Sequence, residues 1–335
     1  MNSSKVIIIA EVGVNHNGKL SNAKKIIKNS KIAGADFVKL QLYKTDELLI
    51  RSAPLADYQR QNKKMISQFS LLKRYEINEK FINKIRNYCN ILKIKLLVTP
   101  FDISSLKTLI RNKFSYIKIS SSDLNNHQLL EHISNYNLKI FLSTGMSNVN
   151  QIKKAINILS KKKIKKDNII LLQCSTNYPA DIKDANLKAM TDFKRLFQTK
   201  FGYSDHTLGN TASIVAVSLG AKVIEKHVTL NKKAEGPDHK ASMNKNEFIK
   251  FVKSIRDAEF ALGQNQKVLS KFEIKNSKVI RKSIVAIKDI LKGEFFTSKN
   301  ISCKRPNLGI SSDRWHEVIG KKSKFNFKKD DFIKI

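Results

Sequence analysis

The stretch VIIIAE at residues 6–11 sets a short apolar run directly against an ionisable residue, Glu11. The pattern then recurs as FVKLQ (37–41), LLVTPF (96–101), YIKIS (116–120), IFLSTG (140–145), IILLQCS (169–175), KFGYSDH (200–206) and VIEKH (223–227). Helix-length stretches separate most of these runs. Short buried strands alternating with helical patterns imply a parallel sheet, and eight such units predict an α/β fold closed as a (β/α)8 TIM barrel. The chemistry of such a barrel sits at the C-terminal ends of its strands. The polar residues that end the runs are therefore the candidate active site.

The connections support this reading. SNAKKIIKNSKIAGA (21–35) places Ala23, Ile26, Ile27 and Ile32 near helical spacing, with Gly34 where a helix stops. KFINKIRNYCNILK (80–93) and NVNQIKKAINILSK (148–161) repeat the pattern. The connection at 43–78 is long and mixed, as substrate lids on barrels often are. After a last barrel helix at 247–262, GQNQKVLSKFEIKNSKV (263–279) loses any buried face. From Val279 onward short β-like pieces appear, SIVAIKDI, EFFTSKNISCKRP and FIKI, punctuated by Gly293, Pro306, Gly309 and Gly320. The expected organisation is a catalytic barrel over 1–264, a linker over 265–278 and a small β-rich domain over 279–335. A domain of about 55 residues is near the lower limit for independent stability. It is expected to lean on another surface, as in a dimer.

The 335 residues carry a formal net charge of +35, which ordinarily points to a polyanionic partner. Here the excess is mostly Lys, spread along the whole length, with no arginine-rich arm and no nucleic-acid motif. KKKIKK at 161–166 reads as the solvated end of a helix. No nucleic-acid partner is expected, although a positive field favours capture of a small anionic substrate. Cys89, Cys174 and Cys303 are odd in number and far apart, which suits neither a disulfide framework nor a cysteine zinc site. Residues 6–10 are too short for a signal-peptide core, and no apolar stretch approaches the roughly 20 residues of a membrane span. The expectation is a soluble cytoplasmic protein with no membrane partner.

Side chains two apart on a strand share a face, so Lys39 pairs with Gln41, and Glu225 with His227, toward the barrel interior. Unpaired charges there are costly. Lys39 and Lys118 can balance Glu11 and Glu225, either as a structural ion-pair network or as a seat for an anionic ligand. Ionisable residues at so many strand ends favour the ligand. His206 and His227 end neighbouring runs about 4.8 Å apart, so both imidazoles can meet one divalent ion. Two histidines leave positions open for water and substrate oxygens, which suits Mn2+ or Mg2+ better than a closed structural zinc. His127, His132, His239 and His316 have no such pairing, and His16 in GVNHNG reads as a loop-ordering residue. Thr99, Ser120, Ser121, Ser143, Ser204 and Lys118 supply the hydroxyls and cation of an anion cradle. No Walker or GxGxxG loop is present.

At these residues the chain resembles the sialic acid synthase family, whose enzymes condense phosphoenolpyruvate with an N-acylated hexosamine. The resemblance covers almost the whole chain. It is carried by IIIAEVGVNHNG (7–18), FVKLQ, APLADYQ (53–59), VTPFD (98–102), YIKISSSD (116–123), LSTGM (142–146), CSTNYP (174–179), GYSDHTLG (202–209), EKHVTL (225–230), EGPDHKAS (235–242) and KRPNLGIS (304–311). The C-terminal segment looks like that family's antifreeze-like (SAF) domain, without implying ice binding.

By this resemblance His206 and His227 bind the metal, expected to be Mn2+ with Mg2+ or Co2+ as substitutes, and the metal polarises the sugar aldehyde. Lys39, Thr99, Lys118, Ser121, Ser143 and Ser204 hold phosphoenolpyruvate. Glu11 manages protons between the substrates and is counted with Lys39 and Lys118 as catalytic. Gln41, Asp123, Tyr178 and Asp238 contact the sugar. Arg305 corresponds to an arginine that crosses a domain-swapped homodimer to reach the N-acyl group. Two departures stand out: Asn307 replaces a glycine after KRP, and Asp123 stands where many relatives carry Glu.

The expected acceptor is N-acetylmannosamine, giving N-acetylneuraminate for cell-surface polysaccharide. A 2,4-diacetamido-trideoxyhexose, giving a legionaminate-type product, is its nearest rival. A reading of a different class, a nonenzymatic basic protein that binds polyanions, leaves the buried strand-end charges without a use.

Overall fold

The computed structural model describes residues 5–56, 67–263 and 266–335. Asp57, Tyr58 and Gln59 of the APLADYQ motif lie outside the described residues, as do Gln264 and Asn265. The chain divides into two compact units, Met1–Gly263 and Gln264–Ile335.

In the first unit all eight expected strands form. They are β1 (Ile7–Gly13), β2 (Phe37–Leu42), β3 (Lys95–Pro100), β4 (Tyr116–Ile119), β5 (Lys139–Ser143), β6 (Ile169–Gln173), β7 (Lys200–Asp205) and β8 (Val223–His227). They pair in parallel in the order β3-β2-β1-β8-β7-β6-β5-β4, and β3 lies beside β4 to close the barrel. Between them run α1 (Leu20–Ala33), α2 (Thr45–Leu48), α3 (Gln68–Tyr75), α4 (Glu79–Leu92), α5 (Ile103–Arg111), α6 (His127–Ser134), α7 (Val149–Ser160), α8 (Ala189–Phe197) and α9 (Thr211–Ser218), with α10 (Lys245–Leu262) last.

Strand alternation builds two cores. Outward residues such as Ile8, Ala10, Val38, Leu40, Ile140 and Ile224 pack under the helices. Inward residues Ile9, Phe37, Leu97, Phe141, Ile170, Leu172 and Val223 fill the lower lumen. Helix ends follow local chemistry: Gly34 stops α1 in the left-handed conformation at φ 95°, and an Asn244–Glu247 capping box starts α10. One α1 expectation fails, because Ile32 is 57% exposed, and the buried face is Ala23, Ile26, Ile27, Ser30 and Ala33. Within KKKIKK only Ile164 is buried; its five lysines face solvent. Among the described residues no helix is long and apolar enough to cross a membrane.

In the second unit the segment expected as a linker over 265–278 carries a helix, α11 (Lys271–Ile280). A Ser270–Glu273 capping box starts this helix although none of its residues is buried, so local capping outweighs the missing apolar face. Strands β9 (Ser283–Ala286) and β10 (Ile301–Lys304) pair antiparallel, with single bridges such as Val285 to Phe332 extending them. The FIKI segment thus contributes a bridge rather than a strand of its own. A small core of Ile284, Ala286, Ile290, Phe296, Ile301, Val318, Phe327 and Ile333 holds the unit together.

Candidate active site

On most barrel strands the lumen face changes from apolar to polar toward the C-terminal end. On the lumen face Ile9 gives way to Glu11, Phe37 to Lys39 and Gln41, Leu97 to Thr99, Phe141 to Ser143, and Val223 to Glu225 and His227. Tyr116 and Lys118 do the same on β4, and Gly202, Ser204 and His206 follow one another inward along β7. The apolar residues fill the lumen below. Above them the polar residues line one cavity of about 650 Å³, together with Ser121, Asp123, Cys174, Tyr178 and Asp238. Every candidate site residue of the barrel meets there. Arg305 lies in the second unit, exposed, directly after β10.

Four buried charges occupy the cavity floor. Lys39 Nζ lies 3.0 Å from Glu225 Oε1 and 3.5 Å from Glu11 Oε2, while Lys118 Nζ is 3.8 Å from Glu225 Oε1. Ser204 Oγ donates to Glu225 Oε1 at 2.9 Å, and Gln41 Nε2 donates to Glu11 Oε1 at 3.2 Å. The charges balance in sign but not in environment. Burial pushes Glu11 up to about 7, more strongly than Lys39 can lower it. At Glu225 burial also acts upward, but Lys118 and Lys39 together hold its carboxyl well below the usual range. Burial draws Lys118 down to about 8, whereas Glu11 and Glu225 overcome burial at Lys39 and raise it.

Several buried polar atoms have no hydrogen-bond partner among the described residues: Thr99 Oγ1, Ser143 Oγ, Glu225 Oε2 and His227 Nδ1. Each such atom costs about 1–3 kcal/mol when left unsatisfied. Clustered in one cavity, they are places for ligand atoms. Ser121 Oγ accepts the Gly145 N–H at 3.0 Å and sits 3.1 Å from Cys174 Sγ. A Cβ on Gly145 would stand 2.7 Å from Thr176 Cγ2 and 2.9 Å from Ser121 Oγ, so only glycine permits this approach.

His206 and His227 face each other with ring centroids 5.5 Å apart. Tyr178 lies against His206 at 4.1 Å and edge-on to His227 at 5.5 Å. Burial pushes His206 down to about 4 and His227 well below its ordinary value, so both imidazoles are neutral, as a metal ligand must be. The His206 Nδ1 meets the Ser175 carbonyl, which orients the ring and directs Nε2 into the cavity. Asp238 Oδ2 stands 3.7 Å from His227 Nδ1, and burial raises its carboxyl to about 6. Asp123 is raised by burial too, and accepts from Asn126 Nδ2 at 3.1 Å.

Among the described residues no group of three or more His, Cys, Asp or Glu is arranged to enclose a metal ion. Two neutral imidazoles facing each other across the cavity, one with an Nδ1 that has no hydrogen-bond partner among the described residues, fit an open divalent centre completed by water and substrate oxygens. They do not fit a closed structural zinc.

Two features go beyond the sequence expectations: Cys174 lines the cavity, and Asp205 and Lys226 form a buried ion pair outside the lumen. The second was accessible from strand alternation. If His206 and His227 point inward, their preceding neighbours point outward beneath helices and need partners.

Known proteins resemble both units of the chain. Residues 26–267 match the NeuB family and residues 281–335 match the SAF domain. An N,N'-diacetyllegionaminic acid synthase of Campylobacter jejuni is 43% identical over 98% of this chain and 99% of its own. A protein of the same name from Legionella pneumophila is 38% identical over 97% of this chain and 92% of its own. Among solved structures, an N-acetylneuraminic acid synthetase from Leptospira borgpetersenii aligns with a TM-score of 0.72 at 31% identity, covering 82% of this chain and 90% of that one. These likenesses lean toward the rival acceptor and away from the expected N-acetylmannosamine. They also remove the nonenzymatic polyanion-binding reading. The chain belongs to the NeuB family: it is a transferase of the nonulosonate synthase type, a TIM barrel followed by an SAF domain.

Proposed function

We propose that this enzyme condenses phosphoenolpyruvate with the open-chain aldehyde of a 2,4-diacetamido-trideoxyhexose, forming an N,N'-diacetyllegionaminate-type sugar acid and releasing phosphate. The observation that carries the acceptor is identity across nearly the whole chain, 43% to a protein of that name against 31% to a neuraminic acid synthetase. The cavity supports it. Leu48, Leu49, Leu72, Phe101 and Met146 line the same space as the charged floor, giving apolar surface for acetamido and deoxy-sugar methyl groups.

In this reading Lys39 and Lys118, with the hydroxyls of Thr99, Ser121, Ser143 and Ser204, hold the carboxylate and phosphate of phosphoenolpyruvate. Gln41, Asp123, Tyr178 and Asp238 hold the sugar. The enol C3 of phosphoenolpyruvate attacks the aldehyde carbon of the sugar, and the cationic character that develops at C2 is met by the Glu11 carboxylate. Water then adds at C2, and the C–O bond to phosphate breaks. The aldehyde oxygen gains one proton and the attacking water loses two, the first to a carboxylate as it adds and the second to the departing phosphate as C2 becomes a ketone. A single carboxyl that titrates near neutrality can thus give the aldehyde oxygen its proton and take the first water proton back. Glu11, raised to about 7, is that group. His206 and His227 would hold the divalent cation, Mn2+ being the expectation, and when bound it supplies Lewis-acid polarisation of the aldehyde. The finer expectations for the rest of the molecule belong to the same reading: a cytoplasmic homodimer, its sugar contact completed by Arg305 of the partner subunit.

The test supplies each acceptor with phosphoenolpyruvate and Mn2+ and follows phosphate release. The diacetamido sugar is expected to exceed N-acetylmannosamine in kcat/KM by about tenfold or more. The reverse preference would return the acceptor to N-acetylmannosamine. Absence of phosphate with any acceptor would sink the reading.

A further inference from the structure

Outside the lumen, in the largely apolar layer between barrel and helices, Asp205 meets Lys226. Ser204 and Glu225 point into the lumen, the next residues point outward toward α9 and α10, and His206 and His227 point inward again. Asp205 and Lys226 are register partners on β7 and β8. Their side chains are almost wholly buried, with Nζ 2.9 Å from Oδ2. The carboxylate is fully engaged: Oδ1 accepts from the Thr207 N–H at 2.8 Å and Thr207 Oγ1 at 2.7 Å, and Oδ2 accepts from Ser213 Oγ at 2.6 Å. The ammonium also donates to the Thr207 carbonyl and stands 5.9 Å from the Phe251 ring centre.

A buried ion pair is a poor source of stability, since well-packed apolar residues often do as well or better. What this one supplies is geometry. It ties β7 to β8 one residue before each histidine, while the Ser204–Glu225 hydrogen bond ties the same strands one step earlier on the inner face. Through Thr207 it also fixes the residue after His206. His206 is thus held between two anchored neighbours.

We infer that Asp205 and Lys226 are positioning residues that set the separation and aim of His206 and His227, and so govern divalent-cation affinity from behind the site. This rests on the reading of the two histidines as metal ligands.

Mn2+ alone is the probe, titrated into the full-length chain by electron paramagnetic resonance, with Tm recorded alongside. Asp205→Asn leaves Lys226 buried without its anion, so the deciding variant is the double change Asp205→Asn with Lys226→Met, which removes both charges. It is expected to keep a Tm near the wild-type value while its Mn2+ dissociation constant rises about 10–100-fold. Ser213→Ala, which deletes one hydrogen bond and no charge, is expected to weaken Mn2+ binding by a few-fold with the fold intact. Wild-type Mn2+ affinity in both variants would reduce the pair to a structural feature and overturn the inference. Mn2+ binding that survives His206→Ala would instead remove the metal reading itself, and this inference with it.

Discussion

Lys118 shows how position within one charge cluster decides a residue's behaviour. It shares Glu225 with Lys39 but lies farther from it, 3.8 Å against 3.0 Å, so burial dominates and its ammonium falls from an ordinary 10.5 to about 8. The sign has two consequences. Between about pH 8 and 10.5 the unfolded chain holds a proton that the folded chain has lost, so this group's contribution to stability rises with pH across that window. Capture of an anionic substrate runs the other way, because it needs the charged form. We therefore predict that kcat/KM for phosphoenolpyruvate falls above about pH 8 without unfolding, and that Lys118→Met lowers it and abolishes the inflection. A pH profile still descending near 8 in that variant would assign the titration elsewhere. That Lys118 lines the cavity was legible from an ionisable residue closing an apolar run. Its protonation was not, because it depends on distances to residues on other strands.

At the scale of elements, β7 depends on having no side chain at Gly202. A Cβ there would stand 2.3 Å from the Val223 carbonyl oxygen and 2.8 Å from the Val223 Cβ, and the backbone of β8 cannot retreat without shifting Glu225 and His227. Gly202→Ala is predicted to cost about 1–3 kcal/mol through overpacking, read as a lower Tm. An unchanged Tm would mean that β7 and β8 separate easily. The strands themselves were plain in the sequence, since alternation and polar endings are local signals. Helix α11 was obscured for the converse reason, because its apolar residues face outward and only the Ser270–Glu273 spacing marked its start.

For the whole molecule, the barrel brings the phosphoenolpyruvate and metal candidates into one cavity, while Arg305 belongs to the second unit. Deleting 281–335 is predicted to leave a folded barrel with its own core but to abolish turnover. Arg305→Ala in the full chain is predicted to raise KM for the sugar about tenfold or more, the loss of one charged hydrogen bond, with KM for phosphoenolpyruvate unchanged. Full activity in the shortened chain would refute the proposed role of Arg305. The net charge of +35 is a property of the outer surface, since among the described residues Lys39, Lys118 and Lys226 are the buried cations.

What the sequence determined alone was the order of parts: eight strands, their polar endings, the family motifs and the change of texture after Val279. These are legible because strand period, capping and turn chemistry act over a few residues. Tertiary structure decided how those endings interact. Closing the barrel set Glu11 at about 7 and Lys118 at about 8, left the Thr99 and Ser143 hydroxyls without hydrogen-bond partners among the described residues, and turned Asp205 onto Lys226 behind the histidines. Each of these depends on burial and on residues far apart in the chain, and neither exists until the strands meet.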